Sequence, residues 1–281
     1  MTTTFREKLA TASAANDSLL CVGLDPEPAR LPAPLAHLPS SEAVTAFCRE
    51  IVAATGDLVC AYKPNLAFFL ALGREGWDAL LAVRAMVPPA IPLVLDAKFG
   101  DIGNTAGAYA RFAFDVLDAD AVTVNPYLGG DAVAPFLARP ERAALLLVKT
   151  SNPGSGDVQD VRTTTGETVA IHVARHVGIW GAAHDNAGAV VGATYPADLA
   201  AVRVTLPDAP ILVPGVGAQG GDLEATVMAG IDARGGGLLI SASRGVLYAS
   251  AGADFATAAR AEAMRLRDAI NIRRRQVAGR M

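Results

Sequence analysis

The chain is short of cysteine, of lysine and of long apolar runs, and each shortage excludes something. Its three cysteines, Cys21, Cys48 and Cys60, show no CxxC or CxxxC spacing. The expectation is buried thiols in a reduced, cytoplasmic protein. No apolar run approaches the length of a membrane span, so no membrane partner is expected. The amino-terminal stretch MTTTFREKLATASAANDS carries charges without a long apolar core and does not read as a secretory signal. No segment rich in proline, glycine or serine divides the chain. A formal net charge of −4 argues against a general nucleic-acid binder. The basic end, RLRDAINIRRRQVAGRM, reads as a solvated helix terminus.

The scarcity of lysine is the most informative. Of 24 basic residues only Lys8, Lys63, Lys98 and Lys149 are lysines. Arginine holds its proton too tightly to deliver it, whereas the pKa of an ammonium can be tuned until it acts as an acid. Lysines that persist in an arginine-rich background are candidates for chemistry.

What is present is a large apolar inventory. The 281 residues are 52% hydrophobic and 19% charged, enough for a substantial core. Short apolar runs recur at 19–26, 57–65, 91–99, 121–127, 143–152, 189–196, 211–217 and 237–243, bounded by turn residues. Alanine-rich stretches of helical spacing lie between them at 40–55, 74–86, 103–118, 166–180 and 221–229. Such an alternation fits a parallel sheet covered on both faces. A single (β/α)8 TIM barrel spanning 1–281 is the simplest arrangement, with an amino-terminal helix closing its bottom. A doubly wound open sheet is the rival, but no GxGxxG follows the first strand.

Polar residues gather where the runs end: Asp25, Lys63 and Asn65, Asp96 and Lys98, Asn125, Lys149 and Ser151. In a β/α barrel that is the face on which active sites are built. Side chains two apart on a strand share a face, which pairs Lys63 with Asn65, Asp96 with Lys98, and Lys149 with Ser151. Asp101 is five residues from Asp96 and lies beyond the Phe99-Gly100 turn. Either the loop folds it back or it reaches a neighbouring subunit. Two glycine-rich segments, PGVGAQGGD (214–222) and SASRG (241–245), follow the seventh and eighth runs. Backbone N–H groups there, with the guanidinium of Arg244, suit a phosphate.

These segments carry a resemblance. DAKFGDIGNT is similar to the DxKxxDIxxT signature of the orotidine 5′-phosphate decarboxylase family, and YKPN, KTSNPG, PGVGAQGGD and SASRG follow in that family's order, in its longer bacterial branch. The match runs from about Leu20 to Tyr248. The resemblance implies decarboxylation of orotidine 5′-monophosphate to uridine 5′-monophosphate, the last step of de novo pyrimidine synthesis. It implies a charged array of Lys63, Asp96, Lys98 and Asp101, with Lys98 protonating C6. It further implies a homodimer in which Asp101, Ile102 and Thr105 enter the partner's site. Asp25 and Lys63 would meet the ribose hydroxyls, Ser151 the pyrimidine edge, and Gln219, Ser243 and Arg244 the phosphate. Neither metal nor other cofactor is expected: related Mg²⁺-dependent sugar-phosphate enzymes share the Asp-x-Lys-x-x-Asp core but carry an acidic residue where Lys63 stands. Such a metal-dependent enzyme, a Schiff-base aldolase using one of the lysines, and a non-catalytic nucleotide-binding barrel are the competing readings.

Overall fold

The structure, a computed structural model, describes residues 3–216 and 221–278. Its strands are β1 (Leu20–Leu24), β2 (Ala61–Pro64), β3 (Val94–Phe99), β4 (Ala121–Val124), β5 (Ala143–Lys149), β6 (Ala187–Val191), β7 (Ile211–Pro214) and β8 (Leu238–Ala242). The helices are α1 (Phe5–Ala15), α2 (Ser40–Thr55), α3 (Leu66–Leu70), α4 (Arg74–Met86), α5 (Gly103–Arg111), α6 (Gly130–Leu137), α7 (Gly156–Gln159), α8 (Val169–Gly181), α9 (Pro196–Thr205), α10 (Leu223–Gly230), α11 (Arg244–Leu247) and α12 (Phe255–Ala278). The sheet has eight strands in the order β2-β1-β8-β7-β6-β5-β4-β3, paired in parallel. Its two ends meet through bridges between Tyr62 and Leu93 and between Asn65 and Asp96. The result is a nearly closed (β/α)8 barrel, the expected fold class. Among the described residues no helix is long and apolar enough to cross a membrane.

Helices α2 and α4 fill the expected spans 40–55 and 74–86. Elsewhere local chemistry moves the boundaries. The stretch 166–180 becomes helical only from Val169, because Thr168 caps it by accepting a hydrogen bond from the Ile171 N–H. The stretch 103–118 is α-helical to Arg111 and then widens into a π-helical turn, Phe112–Val116. Strand β6 begins at Ala187, two residues ahead of the apolar run, where Asn186 and Gly188 suggest a turn in the sequence.

Alternation along the strands divides the barrel interior into levels. Cys21, Ala61, Val94, Ala121, Leu145 and Leu239 form a lower apolar level. One step up each strand, with the same parity, stand Lys63, Asp96, Thr123 and Ser241. The intervening residues, such as Val22, Tyr62, Leu95 and Val122, face the surrounding helices in a separate, larger cluster. Parity thus commits one side of each strand to the interior, and height along the strand decides whether that interior is oily or charged.

Helix α1 stoppers the lower mouth, as expected. Its first turn is fixed by a capping box in which Thr4 and Glu7 satisfy each other's backbone N–H groups. Phe5 and Leu9 are buried in the lower apolar level. Lys8 reaches both oxygens of Asp120 at 2.7 and 2.9 Å, and the same carboxylate accepts the Leu93 N–H at 2.8 Å. The helix is therefore tied to the starts of β3 and β4. Truncating Phe5→Ala should lower unfolding free energy by about 3–5 kcal/mol, the range for buried aromatics, as read by urea denaturation. A loss no larger than that of an exposed substitution, about 0.5 kcal/mol, would show that the stopper contributes nothing.

Candidate active site

A break in the regularity of β3 places its charged residues. Leu95 pairs with Val122 and Phe99 with Val124, so β3 advances from 95 to 99 while β4 advances from 122 to 124. The surplus is absorbed at Ala97 and Lys98, and Lys98 adopts the left-handed conformation at φ 52°. For a residue with a Cβ this costs about 1–2 kcal/mol. Thr123, buried on β4, holds the bulge: its Oγ1 accepts the N–H groups of Ala97 at 3.0 Å and Lys98 at 2.9 Å. The same hydroxyl donates to Asp96 Oδ1 at 3.0 Å.

Asp96 is the hub of the site. Lys98 Nζ lies 2.5 Å from Oδ1 and Lys63 Nζ lies 3.0 Å from Oδ2. On its far side the Lys63 ammonium is 3.9 Å from Asp25 Oδ1, a buried oxygen that accepts no hydrogen bond from the described residues. The order in space is therefore Asp25, Lys63, Asp96, Lys98, alternating in sign. Burial opposes charge on both central groups, and their neighbours overcome it. Burial disfavours the Lys63 ammonium, but the Asp96 and Asp25 carboxylates hold it above the ordinary lysine range. Burial likewise opposes ionisation of Asp96, yet Lys63 and Lys98 bring it below the ordinary aspartate range. In the level beneath, burial pushes the Cys21 thiol up to about 12 despite Lys63. The layer under the array stays neutral.

The array lines one wall of a cavity of about 520 Å³ at the carboxyl ends of the strands. Leu147, Val190 and Leu212 supply an apolar wall. Thr150, Ser151 and Asn152 border it after β5, and Gly215, Ser243 and Arg244 border it after β7 and β8. Gly23 makes this arrangement possible: a Cβ there would stand 1.9 Å from Ser243 Oγ, so only glycine lets that serine lie against β1.

A parallel barrel with such a cavity has many relatives, and comparison narrows them. The family model described as orotidine 5′-phosphate decarboxylase / HUMPS family matches residues 18–261. The chain belongs to this family. An orotidine 5′-phosphate decarboxylase of Roseiflexus sp. (strain RS-1) is 54% identical over 95% of this chain and 97% of its own length. That of Thermomicrobium roseum is 51% identical over 98% of each. Among solved structures, Leishmania donovani OMP decarboxylase superposes with a TM-score of 0.85 at 40% identity, covering 96% of this chain and 99% of that one. Leishmania donovani UMP synthase matches with a TM-score of 0.87 at 43% identity; this chain covers 56% of that longer one. The matched span contains every strand and all the cavity residues named above.

Not every residue expected from the family pattern comes together at the cavity. Asp25, Lys63, Asp96, Lys98, Ser151, Ser243 and Arg244 line the cavity. Asp101, Ile102 and Thr105 do not. Asp101 turns its carboxylate onto the Ile102 N–H at 2.8 Å, and Ile102 and Thr105 are exposed at the start of α5. Gln219 lies outside the described residues. The expected pairing of Lys149 with Ser151 on one face is wrong. The β5–β6 register shifts between Leu147 and Lys149, and Lys149 turns away from the cavity. Its side chain is 1% exposed, ion-paired with Asp160, and its ammonium is 4.6 Å from the centre of the Tyr195 ring. Asn65 and Asn125 use their side-chain oxygens to cap the short helical turns that follow β2 and β4. Thr123, Ser241 and Gly23 were not anticipated; the signal for the first two was their parity with Asp96 and Ser243 on otherwise apolar strands.

The shifted protonation of Asp96 has a definite sign. A carboxylate with a depressed folded pKa contributes stability above its unfolded pKa and loses it as pH falls towards the folded value. The raised Lys63 contributes below its unfolded pKa and loses its contribution only as pH climbs through the folded one. Asp96→Asn should therefore cost about 3–5 kcal/mol near neutral pH, because it strips a buried ammonium of its nearest counter-ion. The difference from wild type should shrink below about pH 4, the ordinary aspartate range. Urea unfolding across that range checks both points; a cost near that of an exposed pair, about 1 kcal/mol or less, would contradict them.

Proposed function

We propose that this chain decarboxylates orotidine 5′-monophosphate to uridine 5′-monophosphate and CO2, closing de novo UMP synthesis, with neither metal nor other cofactor. The observation that carries the reading is the alternating array set in one wall of the cavity, with Ser243 and Arg244 at the cavity's rim. Family membership and about 50% identity with decarboxylases along the whole chain support it.

Breaking the bond between C6 and the carboxyl carbon leaves an electron pair in the plane of the pyrimidine ring, where conjugation does not disperse it. The site must stabilise a localised anion and then protonate it. The two lysines are unequal for this task. Lys63 is 4% exposed and locked between two carboxylates, whereas the Lys98 side chain is 48% exposed. Lys98 is the ammonium that can approach C6, surrender a proton and recover one from water. Asp96 keeps it aimed. Lys63 neutralises Asp96 and Asp25 and occupies the place between them, where a metal ion would meet its repulsion. The Asp25 carboxylate at the cavity wall suits a ribose hydroxyl donor, and the Arg244 guanidinium suits the phosphate. Binding at the phosphate, remote from C6, orients the ring against the array.

In the same proposal the active form is a homodimer. Asp101, Ile102 and Thr105 belong to the family signature yet stand outside their own cavity, with Ile102 57% exposed. Their place is then the partner's site. Tyr127 and Leu128, after β4, are also exposed apolar groups at the carboxyl end of the barrel, which suits burial against a second copy.

Conversion of orotidine 5′-monophosphate, followed by ultraviolet absorbance, tests the reaction. Lys98→Ala should keep the fold and lower kcat by about 10²–10⁴-fold or more. Arg244→Ala should leave the array intact and lower kcat/KM by roughly 10–10²-fold. An Lys98→Ala protein with wild-type kcat would overturn the assigned chemistry. Mixing inactive Lys98→Ala and Asp101→Asn subunits tests the dimer. If Asp101 serves the partner, half the sites of each mixed dimer are intact, and roughly a quarter of wild-type activity should return. No recovery after verified subunit exchange would place Asp101 in its own site.

A further inference from the structure

We infer that Thr123 is a positioning residue for this reaction, one hydroxyl that sets both the direction of the Asp96 carboxylate and the backbone from which Lys98 departs. The inference rests on the proposed decarboxylation and adds a residue outside the charged array.

The assignment follows from counting lone pairs. A threonine hydroxyl has one proton to give and two lone pairs to fill. Both lone pairs of Thr123 Oγ1 are taken, by the N–H groups of Ala97 at 3.0 Å and Lys98 at 2.9 Å. Its single proton is thereby committed to Asp96 Oδ1, 3.0 Å away. The residue is 1% exposed, so water does not compete for these bonds. Asp96 in turn receives donors on both oxygens, Thr123 and Lys98 on Oδ1 and Lys63 on Oδ2. A carboxylate held from both sides cannot rotate without breaking a charged contact.

The second consequence lies in the backbone. The strand ladder pairs Leu95 with Val122 and then Phe99 with Val124, which leaves the N–H groups of Ala97 and Lys98 without strand partners. Thr123 supplies the partner for both. With that anchor Lys98 stays at φ 52°, and its side chain leaves the strand on the cavity side. A valine would fill the same volume and strand both N–H groups while freeing Asp96. Thr123 therefore acts through Asp96 and Lys98 and not by touching substrate.

Steady-state kinetics of Thr123→Val and Thr123→Ser, with uridine 5′-monophosphate binding by calorimetry and folding by circular dichroism, test this. Thr123→Val should remain folded at the assay temperature and bind uridine 5′-monophosphate. Its kcat should fall about 10–10²-fold, the cost of misplacing a reacting group by a fraction of an ångström to one ångström. KM should change by less than about threefold. Thr123→Ser, which keeps the hydroxyl, should recover most of the lost kcat. If the valine protein does not fold, Thr123→Ala removes the hydroxyl without added bulk and carries the same expectations. Valine or alanine proteins with kcat within about twofold of wild type would overturn the inference. So would a serine protein as impaired as the valine one, since methyl packing would then be responsible. A wild-type protein that leaves orotidine 5′-monophosphate unconverted would overturn the functional proposal and this inference together; an active wild type with an unimpaired Thr123→Val overturns this inference alone.

Discussion

The site depends on one carboxylate. Asp96 accepts Lys63 and Lys98 on opposite oxygens, and without it two ammonium groups would face each other across a mostly buried pocket. Each charge in the row is acceptable only because of its neighbour. Burial raises the cost of every isolated ion, and the alternation repays it through short contacts at low local dielectric. That is why Lys63 remains charged although almost wholly enclosed, and why Lys98 can stand partly exposed with its ammonium already aimed.

The barrel makes such a row possible by separating two demands along each strand. Below, Cys21, Ala61, Val94 and Ala121 join Phe5 and Leu9 in a dry apolar level that gives stability. Above, the same parity carries Lys63, Asp96, Thr123 and Ser241. Strands β2, β3, β4 and β8 deliver these groups to one end of the barrel. The cost is local irregularity: β3 surrenders its register with β4 after Leu95, and the bulge allows Asp96 and Lys98 to meet where simple alternation would leave them one strand-repeat apart.

Much of this was legible in the sequence. Apolar runs separated by helical stretches specify the barrel, and alternation brings Lys63 and Asp96 to one side. The meeting of Asp96 and Lys98 was foreseen, though through the wrong geometry. What stayed hidden depends on irregular backbone. Lys149 and Ser151 look like a pair, but the shift after Leu147 sends Lys149 to Asp160 and Tyr195. Thr123 in AVTV reads as an ordinary β-former, and only the N–H groups released by the bulge give it a task. Gly23 looks like one small residue among many until Ser243 is seen to occupy the space of its missing Cβ. Asp101 shows the opposite case: its odd spacing from Asp96 already signalled that it leaves the strand's face, and it does not line the cavity.

In the proposed reaction fixed side-chain charges suffice for the chemistry, with Lys63 standing between the carboxylates of Asp25 and Asp96. The most direct measurement is the rate of conversion of orotidine 5′-monophosphate by wild-type protein stripped with chelator and assayed in its continued presence, set beside the same protein supplied with Mg²⁺. Equal rates and stoichiometric uridine 5′-monophosphate are the expected result. Activity lost to the chelator and restored by Mg²⁺ would contradict it.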